Sequence, residues 1–221
     1  MNTKACVAEF IGTFALIFVG VSAIAADHAT HGALGLAGIA LAHGLTIAVM
    51  VSATAAVSGG HLNPAVTIGA LTTGKIDGKN AVGYIVSQCL GGIAAAVLIG
   101  TILADTVPNA LAIGTPALAE TVNLVQGLLM EIVLTFFLVF VIFGTAIDAR
   151  APKMGGLFIG LTVALDIMAG GPITGAAMNP ARHLGPALFG GHIDMIWFYW
   201  IGPIIGGVLA AQVYHRVLEE K

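Results

Sequence analysis

Ser58-Gly-Gly-His-Leu-Asn-Pro-Ala-Val-Thr67 and its echo, Thr174-Gly-Ala-Ala-Met-Asn-Pro-Ala-Arg-His183, each set Asn-Pro-Ala between a glycine-bearing loop and a short apolar run. Asn is a favoured helix N-cap, and Pro is pre-shaped for the first helical position. The triplets Asn63-Pro64-Ala65 and Asn179-Pro180-Ala181 therefore read as helix starts. The first helix has room only as far as Thr72-Thr-Gly-Lys75, and the second meets Phe189-Gly-Gly191. Roughly ten residues at ~1.5 Å each span ~15 Å, half of a ~30 Å hydrocarbon core. Two such stubs with matching caps predict a membrane protein whose short helices meet at mid-bilayer.

Composition points the same way. Of 221 residues, 58% are hydrophobic and only 9% charged, with a mean hydropathy of +1.00. A soluble domain carries about 25% charged residues, so this chain's main solvent must be lipid. The net charge of −3 comes with no basic cluster, and no nucleic-acid partner is expected. Cys6 and Cys89 have no metal-like spacing and read as packed thiols. No nucleophile, metal cluster or phosphate loop argues for an enzyme, and no cofactor is expected. Gly156-xxx-Gly160 and Gly202-xxx-Gly206 have the spacing that lets membrane helices approach closely.

Six apolar segments, at about 5–26, 34–56, 81–104, 122–146, 155–170 and 195–217, read as spans. The first is too long for a signal peptide's apolar run and carries Glu9. It also has a partner. Glu9-Phe-Ile-Gly-Thr-Phe14 aligns with Glu131-Ile-Val-Leu-Thr-Phe136 at an offset of 122. Gly44-Leu-Thr aligns with Gly160-Leu-Thr at 116, as does Asn63 with Asn179; Gly91-Gly92 aligns with Gly206-Gly207 at 115. The expectation is one membrane domain built from two repeats, about 1–110 and 120–221. Three spans per repeat force the second copy to insert upside down, with a pathway at the interface. Lys4, Lys75, Lys79, Arg150, Lys153, Arg216 and Lys221 then share one face, and Arg182 alone lies on the other. By the positive-inside rule both termini are cytoplasmic.

Inverted stubs bring two helix N-termini together, each equivalent to roughly half a positive charge. The side-chain amides of Asn63 and Asn179 are expected to donate into the cavity between them, turning a passing water and interrupting any proton-conducting chain. Glu9 and Glu131 sit inside spans, where a carboxylate needs partners. Asp166 is expected to accept a hydrogen bond from the outer loops or from the external end of the first half. A secondary transporter is the competing class, but it would need a coupling carboxylate at the midplane.

The blocks Ala8-Glu9 to Phe14, Ser58 to Thr67, Gln126-Gly127 to Thr135 and Gly170-Gly-Pro to Arg182 resemble those of the aquaporins, within the major intrinsic protein family. The resemblance covers nearly the whole chain, and its last two blocks are most similar to the plant tonoplast intrinsic branch. It implies an all-α membrane fold of six transmembrane helices plus two re-entrant half-helices, assembled as a homotetramer with one pore per subunit. It implies a passive channel for water, with small neutral solutes such as ammonia or hydrogen peroxide also passing; a glycerol facilitator is the alternative. Carried over by position, the outer constriction is His43, Ile167, Ala176 and Arg182, with His61 lining the inner half. Glu9 and Glu131 would hold the re-entrant loops through backbone N–H groups. His183 follows Arg182 where glycerol-conducting members usually have an Asp, and Tyr199-Trp200 before Ile201-Gly-Pro203 is similar to the water-conducting side. Loop 105–120 lacks the further filter His of some tonoplast-type channels, which argues against strong ammonia transport. Because both hydrophilic termini are short, the cell membrane is expected rather than the vacuolar one.

Overall fold

The computed structural model describes residues 1–151 and 153–220, so Lys221 lies outside it. The long helices are α1 (Thr3–Ala29), α2 (Gly35–Ser58), α4 (Gly78–Ile102), α6 (Leu124–Ile142), α7 (Gly155–Thr174) and α9 (Ile196–Val213). Between them lie the half-helices α3 (Pro64–Thr72) and α8 (Pro180–Gly190), and a short helix, α5 (Ala110–Gly114). Among the described residues, six helices are long and apolar enough to cross a bilayer. Their outward faces carry Leu45, Val49, Val82, Val125 and Leu165, each more than half exposed, as lipid requires.

The bundle is held by close backbone approach. Between α2 and α7, a Cβ on Gly44 would lie 2.5 Å from the Gly160 carbonyl oxygen, and one on Gly160 would lie 2.3 Å from that of Gly44. Gly206 of α9 sits against the Ile132 carbonyl on α6, and Gly91 of α4 against that of Phe10 on α1. Lipid tails give no hydrophobic drive between helices, so such contacts supply the cohesion.

Direct bonds gather both termini on one face. Asn2 N donates to Asn80 Oδ1 at the head of α4. At the other end Lys75 pairs with Glu219, which also bonds His215 Nδ1 at 2.6 Å, and Gln212 Nε2 donates to the Thr72 carbonyl at 2.9 Å. Arg150 binds Asp148, the Leu218 carbonyl and Glu220. The C-terminal segment is thus strapped to the α3–α4 and α6–α7 loops.

This strap has a pH signature. The Lys75 ammonium holds the Glu219 carboxyl below its usual range, and the Arg150 guanidinium does the same for Asp148. A depressed folded value means the stabilisation is full above the unfolded carboxylate range of about 4 and is lost as pH falls through the lower folded values. Hydrogen exchange of residues 214–220 should therefore be slow at neutral pH and accelerate below about pH 4, while the spans stay protected. Equal rates at pH 7 and pH 3 after correction for intrinsic exchange would show the strap contributes nothing.

Candidate functional site

Each half-helix starts as its sequence dictates. Asn63 Oδ1 caps α3 by accepting from Ala65 N at 2.8 Å; Asn179 Oδ1 caps α8 by accepting from Ala181 N at 3.0 Å. Pro64 and Pro180 occupy the first helical positions, and Ala65 and Ala181 are fully buried. Glycine lets neighbouring spans close on both starts: Gly207 of α9 and Gly92 of α4 lie against the Ala65 and Ala181 carbonyls.

The two N-termini abut through reciprocal bonds. Asn63 Nδ2 donates to the Met178 carbonyl at 2.9 Å, and Asn179 Nδ2 donates to the Leu62 carbonyl at 2.9 Å. One hydrogen of each amide is therefore spent across the junction. An amide NH2 has two, and both Asn residues line the cavity between the stubs. The expected pair of free donors is thus one hydrogen per Asn.

The loops leading in are strained and braced. Leu62, Ala176 and Met178 have φ of 51°, 43° and 51°, left-handed values that cost a non-glycine residue roughly 1–2 kcal/mol. Such backbone persists only when its surroundings over-determine it. Glu9, fully buried in α1, accepts from Ser58 Oγ, His61 N, Leu62 N and Gln88 Nε2 at 2.6–2.9 Å. Glu131, fully buried in α6, accepts from Thr174 Oγ1, Ala177 N and Met178 N at 2.7–2.9 Å. Tyr84 and Tyr199 hydroxyls secure the loop entrances by donating to the Ser58 and Thr174 carbonyls.

Gln88 was not singled out from the sequence. Fully buried in α4, it donates to Thr67 Oγ1 as well as to Glu9. Thr67 Oγ1 gives its own proton to the Asn63 carbonyl, so it must accept from His61 Nδ1, 3.1 Å away. His61 is thereby fixed as the Nδ1–H tautomer, with Nε2 its acceptor. At the position of Gln88 in the second half stands Pro203, by the same offset of 115.

Three cavities follow one another through the molecule. An outer vestibule of about 720 Å³ shares His43, Ile167 and Arg182 with a central lumen of about 480 Å³. The lumen shares Gly60, His61 and Ile159 with an inner vestibule of about 850 Å³. Ala176 lines the lumen just inside the outer junction. The structure therefore brings His43, Ile167, Ala176 and Arg182 together at one end and His61 at the other. Ile47, Val163 and Leu138 add apolar side chains to the lumen lining beside His43, His61, Asn63, Asn179 and Arg182.

Arg182 is buried and donates through Nη1 to the Gly114 carbonyl at 2.9 Å. Its partner comes from α5, a helix that the apolar pattern did not reveal. His43 Nδ1 lies 2.9 Å from the Ile39 carbonyl, one turn back. A carbonyl only accepts, so Nδ1 carries the proton and Nε2 is bare in the neutral ring.

One expectation changes. Asp166 is buried, but Oδ2 has no hydrogen-bond partner among the described residues, and no bond joins it to an outer loop. Gly170, one turn on along α7, abuts Leu134 of α6, so helical spacing turns the carboxyl toward an apolar helix face rather than toward a loop. Asp166→Asn should leave osmotic water permeability within about twofold of the parent, as read in proteoliposomes; a tenfold loss in folded protein would give this carboxyl a transport role. His183 is also fully buried, stacked on Tyr199 with ring centroids 4.1 Å apart. The stack joins the half-helix α8 to α9.

A bundle of six spans with two braced stubs meeting beside a lumen defines a membrane channel. The family model described as major intrinsic protein matches residues 1–214, and the chain belongs to that family. It is 45% identical to "Aquaporin TIP4-4" of Zea mays, across 96% of this chain and 85% of that one. It is 42% identical to "Aquaporin TIP2-3" of Arabidopsis thaliana, across 98% and 88%. Its fold is similar to the X-ray structure of the aquaglyceroporin from Plasmodium falciparum, with a TM-score of 0.84 and 25% identity over 99% of this chain and 97% of that one.

These relatives overturn the expected preference for the cell membrane. Aquaporin TIP4-4, Aquaporin TIP2-3 and their neighbours at 42–45% identity are TIP-type, the tonoplast branch, which points away from the cell membrane. The physical reason for the error is plain: basic residues and short termini orient a chain in whichever bilayer receives it, and carry no address. An integral, multi-pass membrane protein is what stands.

Proposed function

We propose that this chain is a passive water channel that also passes small neutral solutes such as ammonia or hydrogen peroxide and excludes ions and protons. It works as two inverted repeats, about 1–110 and 120–221, in a homotetramer with one pathway per subunit and cytoplasmic termini. The observation that carries the reading is the reciprocal Asn63–Met178 and Asn179–Leu62 bonding beside the lumen. Two helix N-termini there make the midpoint electropositive, which repels cations. The remaining amide hydrogens bind a passing water through its oxygen. Both of that water's hydrogens then point away from the centre, so no hydrogen-bonded chain runs through for a proton to follow.

His43, Ile167, Ala176 and Arg182 form the outer filter. Arg182 supplies the fixed cation and donors, and His43 Nε2 an acceptor. Ile167 and Ala176 leave the bore wider than an aromatic ring would. Glu9 and Glu131 hold the carbonyls of the strained loops toward the pathway. A glycerol facilitator is disfavoured, since relatives at 42–45% identity are TIP-type aquaporins. Stopped-flow light scattering on proteoliposomes, comparing water, glycerol, ammonia and peroxide with His43→Phe alongside, tests the reading. Faster shrinkage than empty vesicles and a peroxide flux cut by His43→Phe are expected; wild-type shrinkage at the empty-vesicle rate would overturn it.

A further inference from the structure

The α1 wall of the pathway is a stripe at helical spacing: Leu16 against the lumen, Gly20 one turn on, and Ile24 at the outer vestibule. The middle position has no side chain, and the His43 ring fills the gap. A Cβ built on Gly20 would lie 2.3 Å from His43 Nε2, 2.5 Å from Cδ2 and 2.9 Å from Cε1. Those three atoms are the Nε2 end of the ring, while Nδ1 is tied to the Ile39 carbonyl on α2. The imidazole is therefore held between its own helix and the bare backbone of α1.

We infer that Gly20 is a positioning residue that sets the width of the outer constriction by letting His43 retract against α1. Ordinary van der Waals contact begins near 3.4 Å, so a methyl group at position 20 requires the ring to move by about 1 Å. The α2 backbone blocks one direction and α1 another. The space left is the junction that His43 shares with Ile167 and Arg182. A constriction that admits single small molecules is sensitive to such a shift. The second half shows the alternative: at offsets of 122 and 116, Gly20 and His43 correspond to Ile142 and Ile159, two aliphatic side chains that both reach the lumen.

The inference rests on His43 being a filter residue, and the test separates the two. Water and hydrogen peroxide permeabilities are measured in proteoliposomes for the parent, Gly20→Ala, His43→Ala and the double variant, each normalised to folded protein. Gly20→Ala is expected to reduce peroxide permeability about tenfold and water less, lowering the peroxide-to-water ratio. In the His43→Ala background the same substitution has nothing to push, so the ratio should not change. If Gly20→Ala misfolds, restoration of its yield and melting temperature by His43→Ala supports the contact, and failure to restore them overturns it. An unchanged ratio in Gly20→Ala, or the same loss with and without His43, sinks the role of Gly20. A His43→Ala channel with the parent's peroxide-to-water ratio sinks instead the filter reading beneath it.

Discussion

Glu131→Ala is expected to reduce water permeability per folded channel by more than about tenfold and to lower the melting temperature in detergent sharply. The substitution orphans Thr174 Oγ1, Ala177 N and Met178 N, all buried. A buried donor left without a partner costs about 1–3 kcal/mol, so three approach the whole stability of an ordinary domain, about 5–15 kcal/mol. The left-handed backbone at Ala176 and Met178 would then relax, and the carbonyl that accepts from Asn63 would move with it. Melting by intrinsic fluorescence together with stopped-flow shrinkage reads both effects. Parent-like values in both would show that the carboxylate is dispensable and that the loop holds its shape unaided.

Arg182→Val is expected to raise proton and cation leak while osmotic water flow persists. A unit charge about 6 Å from a permeating cation, at an effective dielectric of about 20, opposes it by about 3 kcal/mol, or roughly a hundredfold in occupancy. The half-helix N-termini still oppose cations, so the increase is bounded by about that factor. A pH-sensitive dye trapped in the vesicles reports the proton leak directly. Leak no greater than the parent's would assign cation exclusion to the Asn63–Asn179 junction alone.

The sequence announced the spans, the half-helices and their caps because each is written in one local pattern. Asn-Pro-Ala is a cap and a first turn; a long apolar run is a span. Helix α5 escaped because five residues, Ala110–Gly114, are too few for a period to show, and their use depends on a distant guanidinium. Gln88 escaped because a Gln in an apolar span looks like any buried polar residue until Glu9 and Thr67 are seen on either side of it. Asp166 was misjudged for the opposite reason. A carboxyl inside a span is expected to have a partner, and its Oδ2 has none among the described residues. Gly20 reads as a packing glycine in sequence; only the His43 ring lying over it gives it a consequence.

Water and proton permeation measured in the same wild-type proteoliposomes test most directly whether the facing Asn-capped stubs make a water pathway that protons cannot follow. Shrinkage much faster than that of empty vesicles, with an imposed pH gradient holding as long as it does in their absence, is the expected result. Shrinkage at the empty-vesicle rate, or a pH gradient that collapses as the water moves, would contradict it.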